Sequence, residues 1–149
     1  MSLMEQIYKT VILERSRTPR HRGTLDDPAI RQEGVNPSCG DELTLSLRIE
    51  EGVVRDAKFE GHGCAISAAS ADLMVDALHG ATVEEARSFS AAFKAMIRGE
   101  PVPSHLDLGE LTALEGIRHL HARVKCATLP WTTLEAALDG ATGPVSDEA

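Results

Sequence analysis

"ELTLSLRIEEGVVRDAKFE", residues 42–60, decides the fold. Leu43, Leu45, Leu47 and Ile49 alternate with Thr44, Ser46 and Arg48. That strict period of two belongs to a strand with one buried and one solvated face. Glu51-Gly52 reads as a tight turn, and Val53 to Glu60 returns as a second strand. The expectation is an antiparallel hairpin entered through the segment that carries Cys39 and Asp41.

Outward from the hairpin the pattern becomes helical. Leu3 to about Arg15 is amphipathic, with Ile7, Val11 and Ile12 at helical spacing. "SRTPRHRGTLDDP", residues 16–28, is rich in turn-forming residues and predicts an exposed loop. After "EGHGC" a helix follows, with Ile66, Ala69, Leu73 and Ala77 on one side and Gly80 as its stop. Thr82 and Glu85 make a capping box for the next helix, lined by Phe89, Phe93 and Met96. Leu111, Leu114, Ile117 and Leu120 suggest another. Pro130 suits a first turn, so a last helix is expected from about Thr128 to Leu138. The class is α+β, a small antiparallel sheet with helices on one face. Residues 1–140 are expected to form a single domain, and 141–149 a flexible tail.

Composition narrows the function. The chain has 149 residues, 42% hydrophobic and 3% aromatic, so its core must be aliphatic. A net charge of −8 argues against non-specific nucleic-acid binding. Lys9, Arg15, Arg17, Arg20 and Arg22 nonetheless cluster near the N-terminus; they form either a face for an acidic partner or a solvated helix and loop. No apolar run approaches the ~18 residues of a membrane span, and no signal-peptide core is seen. Three cysteines without a secretory signal point to a reducing cytoplasm, where thiols bind metal or do chemistry.

The cysteines fall at junctions: Cys39 in "NPSCGDE" before the first clear strand, Cys64 at a helix start, Cys126 just before the last helix. A helix N-terminus stabilises a thiolate, which gives Cys64 and Cys126 a reason to deprotonate. Two readings stand: three unrelated buried cysteines, or one convergent site. The spacing is a weak zinc signal by itself. Asp41, two residues from Cys39, is either a fourth ligand or a turn cap. Three thiolates and a carboxylate make the four ligands zinc prefers. His62 lies two residues from Cys64 and is more readily an exposed loop histidine than a ligand. His119 and His121 precede Cys126 without a geometry that brings them to it.

"NPSCGDE", "GHGC" followed by "AISAAS", and "KCATLPW", in that order, resemble the U-type iron–sulfur assembly proteins, over nearly the whole chain. The resemblance implies a three-stranded sheet with an extra short strand near Ile30 to Val35. It assigns Cys39, Asp41, Cys64 and Cys126 to a metal. Scaffold members carry a histidine directly before the third cysteine and assemble a [2Fe–2S] cluster; here that residue is Lys125. The longer segment between the second and third cysteines also resembles the SufU-like branch. That branch implies Zn2+, a cysteine desulfurase as partner, Cys39 as the sulfur-accepting thiol and a downstream scaffold or apoprotein. Arg123 and Lys125 are then candidates for tuning thiolate charge or docking the partner. A [2Fe–2S] scaffold and a structural-zinc interaction module remain as alternatives.

Overall fold

The computed structural model describes residues 3–26 and 29–147. Within the first helix, the side chain of Ile7 lies outside the described residues, as do Asp27 and Pro28 of the following loop. Helix α1 spans Leu3–Arg17. It is followed by strands β1 (Ile30–Asn36), β2 (Asp41–Glu50) and β3 (Val53–His62), then helices α2 (Ala65–Leu78) and α3 (Val83–Ile97). A 3-10 helix (Gly109–His119) leads into α4 (His121–Leu138). The sheet is antiparallel in the order β1-β2-β3. Among the described residues no helix is long and apolar enough to cross a membrane.

The hairpin forms as its alternation requires. Leu43, Leu45 and Leu47 are buried, and Leu45 stands opposite Phe59. Glu51 and Gly52 both have positive φ, 53° and 74°, the turn that matches strand twist. The extra strand is present, but its alternation is inverted. Its inward row is Gln32, Gly34 and Asn36, while Ile30 is exposed.

The helices cover the sheet with aliphatic side chains and one aromatic stack. Phe93 of α3 and Trp131 of α4 lie 4.9 Å apart at 19°. The expected capping box of α3 forms in both directions between Thr82 and Glu85. The segment with Leu111, Leu114 and Ile117 is a 3-10 helix, and those three residues are buried. Their strict spacing of three is the 3-10 period.

Arg15 is not part of a surface basic patch. It is buried, with Nη1 2.9 Å from Asp72 Oδ2, and it also pairs with Asp76 and Glu110. It thereby ties α1 to α2 and to the 3-10 helix. Burial opposes its charge, but the carboxylates around it prevail and hold the guanidinium above its ordinary value. Burial likewise opposes ionisation of Asp76. Hydrogen bonds from His21 and Arg15 outweigh it, so the carboxyl sits below the usual range.

The last helix begins seven residues before the expected start. Pro130 lies inside it rather than in its first turn. Proline lacks an N–H, so the Cys126 carbonyl, four residues back, loses its helical donor. The segment after α4 runs back along β1. Val145 pairs with Gly34, and Val35 N–H donates to the Val145 carbonyl at 2.8 Å.

Candidate metal centre

Asn36 ends β1 and pairs with Asp41, which opens β2. Pro37–Gly40 between them is a turn, closed by Cys39 N–H on the Asn36 carbonyl at 3.2 Å. Gly40 takes φ +70°, the left-handed region where a side chain is strained. This turn brings the Cys39 thiol 3.6 Å from Asp41 Oδ2, to which it donates.

Asp41 is completely buried. Its Oδ1 accepts the Cys64 main-chain N–H at 3.0 Å. Gly63 makes that approach feasible, because a Cβ there would stand 2.5 Å from the same oxygen. Cys64 is the N-cap of α2, as expected, and its sulfur accepts the Ser67 N–H at 3.4 Å.

The third cysteine arrives from inside a helix. Cys126 lies in the second turn of α4, fully buried, with its sulfur 3.8 Å from that of Cys39. The expectation that a helix N-terminus lowers its pKa is therefore corrected. Burial first, then a hydrogen bond with Asp41 and the nearby Cys64, pushes this thiol above its ordinary value.

Among the described residues, Cys39, Asp41 and Cys126 form a group whose donor atoms lie within 4.8 Å of one another. Cys64 adjoins it through its N–H on Asp41. A tetrahedral site with Zn–S of about 2.3 Å and Zn–O of about 2.1 Å has S···S edges near 3.8 Å and S···O edges near 3.6 Å. The Cys39–Cys126 and Cys39–Asp41 separations match those edges. Two thiols and a carboxylate at these spacings suit a tetrahedral metal site, whereas the thiol of Cys64, the fourth expected ligand, is not part of the group.

Arg123 stands one turn before Cys126 with its side chain in solvent. Its hydrogen bond to Cys126, together with the charges of Cys64 and Cys126, raises its pKa. Lys125 Nζ donates to Ser38 Oγ at 2.6 Å, bridging α4 to the Cys39 turn. His62 is 80% exposed and pairs with Glu42 at 3.2 Å. His119 and His121 are exposed, and neither joins the donor group among the described residues. Sequence reasoning missed Asn36, whose only signal was a polar residue at an inward strand position.

These features coincide with a family. The chain matches the NifU-like N terminal domain over residues 7–139 and belongs to that family, the U-type proteins of iron–sulfur cluster assembly. It is 42% identical over 132 residues to the zinc-dependent sulfurtransferase SufU of Bacillus subtilis, covering 89% of each chain. It is 45% identical over 139 residues to the iron–sulfur cluster assembly scaffold protein IscU of Thermotoga maritima, covering 91% of this chain and 95% of that one. A crystal structure from Fervidobacterium islandicum AW-1, described as a SUF-system iron–sulfur assembly scaffold protein, superposes with a TM-score of 0.84 at 36% identity. It covers 90% of this chain and 98% of that one.

Proposed function

We propose that this protein is a zinc-dependent sulfur-transfer protein that accepts persulfide sulfur from a cysteine desulfurase. Cys39, Asp41, Cys64 and Cys126 would hold the metal, and Cys39 would take the sulfur. The observation that carries this is the unequal placement of the thiols around one donor group. Cys126 is sealed in the core, while Cys39 sits half-buried in a surface turn. Zinc, when bound, keeps its sulfur ligands deprotonated.

The transfer balances without an oxidant. The Cys39 thiolate attacks the outer sulfur of a donor Cys–S–S–H. A new S–S bond forms at Cys39, the donor S–S bond breaks, and the donor cysteine leaves as a thiolate. Arg123 and Lys125 flank the site and would meet the donor protein, and a downstream scaffold or apoprotein would receive the sulfur. The similarity to the Bacillus subtilis sulfurtransferase and Lys125 in place of histidine both support this reading.

The test is metal analysis of the purified protein, paired with desulfurase turnover with and without it. Stoichiometric zinc, stimulated turnover, and loss of sulfur acceptance in Cys39→Ala are expected. Normal acceptance by Cys39→Ala overturns the role of Cys39. The similarity to the Thermotoga maritima scaffold favours a second reading, in which the same side chains hold a [2Fe–2S] cluster. Anaerobic reconstitution that yields a stable, transferable cluster would decide for it.

A further inference from the structure

Asn36 has no thiol or charge, yet the segments that build the site meet on it. It is completely buried. Its carbonyl accepts the Cys39 N–H. Its Nδ2 donates at 3.0 Å to the carbonyl of Lys125, the residue before Cys126. Its Oδ1 accepts the Asp147 main-chain N–H at 3.1 Å and the Ser146 hydroxyl at 3.3 Å. The same C-terminal segment reaches α4 directly, where Thr128 Oγ1 donates to Asp147 Oδ2 at 2.6 Å.

We infer that Asn36, gripped by Ser146 and Asp147, is a positioning residue that sets the separation of the Cys39 and Cys126 sulfurs. The inference rests on the proposal that both sulfurs are metal ligands. Eighty-seven residues separate them, so only tertiary contacts fix their distance. The hydrogen bond from Asn36 to Lys125 is partly buried, while that between Lys125 and Ser38 is exposed. A buried amide whose donor and acceptor are both engaged has one favourable orientation, because turning it leaves polar groups unpaired. The C-terminal segment supplies the donors, Asp147 N–H and the Ser146 hydroxyl, that engage the acceptor of that amide. Partners behind the ligands typically change metal affinity by ~10–100-fold when removed.

Two variants separate the halves of the lock. Asn36→Asp keeps an acceptor for the C-terminal segment but sets a carboxylate against the Lys125 carbonyl. A chain ending at Thr142 keeps the donor and loses the acceptor's partners. Zinc affinity is read by chelator competition, and site geometry by the visible absorption of the cobalt-substituted protein. We expect Asn36→Asp and Asn36→Ala to bind zinc ~10–100-fold more weakly. Their cobalt bands should lose tetrahedral intensity. The shortened chain should show a smaller loss in the same direction. A merely structural residue would lower the thermal midpoint of the metal-free protein and leave the cobalt spectrum intact once loaded. If the Asn36 variants do not fold, the shortened chain decides alone. Wild-type zinc affinity and cobalt spectrum in any folded variant overturn the inference. A wild-type chain that takes up no zinc overturns the functional proposal first, and this inference with it.

Discussion

Replacing Gly63 with alanine should disarm the proposed metal centre while leaving the fold in place. Gly63 has no positive φ, so alanine adds no backbone strain there. The added Cβ meets Asp41 Oδ1 at 2.5 Å, Cγ at 3.2 Å and Cα at 3.3 Å. An oxygen must retreat by about 0.9 Å to reach an ordinary carbon contact near 3.4 Å. Metal–ligand distances are held within about 0.2 Å, so this displacement exceeds what a ligand tolerates. The retreat also stretches the 3.0 Å bond from Cys64 N–H, which anchors the carboxylate. We expect zinc affinity to fall ~10–100-fold, about 1.4–2.7 kcal/mol. Overpacking should cost about 1–3 kcal/mol of stability in urea unfolding of the metal-free chain. Gly116→Ala is the control, since its Cβ meets Tyr8 at 3.9 Å, an ordinary contact. Zinc competition on both variants is the assay. If Gly63→Ala binds zinc like the control, Asp41 is not a ligand held in place by that close approach.

Three further outcomes follow from burial and charge. Arg15→Met leaves Asp72 buried without its partner and should destabilise the protein by about 3–5 kcal/mol in denaturant titration; an unchanged midpoint would show that α1 is not held by this pair. Asp76 titrates below its ordinary value in the folded chain. Its contribution is therefore complete above pH ~4 and is lost as pH falls through the lower folded value. Asp76→Asn should flatten the acid limb of the stability curve, and an identical limb would refute the assignment. In the metal-free protein, iodoacetamide should modify Cys39 and Cys64 before Cys126, because Cys126 is fully buried, which also pushes its thiol up, whereas the other two are partly exposed. Peptide mapping by mass spectrometry reads the order, and early labelling of Cys126 would contradict the geometry.

The hairpin was legible because the leucines of β2 face the core while polar residues, of which only Ser46 is fully buried, line its other face, which writes the fold into alternation. Strand β1 was not, because its alternation carries the opposite sign. Gln32 is buried with its amide on the Gly143 carbonyl. Gly34 lies so close to α4 that a Cβ would stand 2.1 Å from Thr133 Oγ1. Asn36 is buried on hydrogen bonds. Polar residues and a glycine inside, with Ile30 outside, read as loop to any hydrophobic count; only the family resemblance called for a strand there. The start of α4 was misplaced for a related reason. Pro130 signals a helix start by propensity, but tertiary packing of Ala127, Leu129 and Trp131 carries the helix through it. The 3-10 segment shows the reverse, since its spacing of three was visible and was read only as a helix. Cys64 could be placed at a helix start from "GHGC" alone, whereas the burial of Cys126 could not be seen.

The inverted strand also accounts for where the third cysteine arrives. Helix α4 seats on β1 through Gly34, whose missing side chain leaves room for Thr133 and Leu129. Cys126, Leu129 and Thr133 share one helical face at spacings of three and four. Cys126 therefore lies seven residues, about 10.5 Å, along the axis from the contact that fixes the helix. A slip of one turn, ~5.4 Å, would destroy the 3.8 Å approach of Cys126 to Cys39. Large side chains at Gly34 would lift the helix, and an apolar residue at Asn36 would leave its end untied. Ser70 Oγ, donating to the Ala127 carbonyl at 2.6 Å, pins the next residue of the helix from the α2 side. Helix and turn are thus registered by small and polar residues where an ordinary core would use aliphatic ones. Such contacts are specific in distance and direction, whereas aliphatic packing tolerates repacking. A site whose proposed ligands come from three distant segments needs that specificity more than it needs the extra burial.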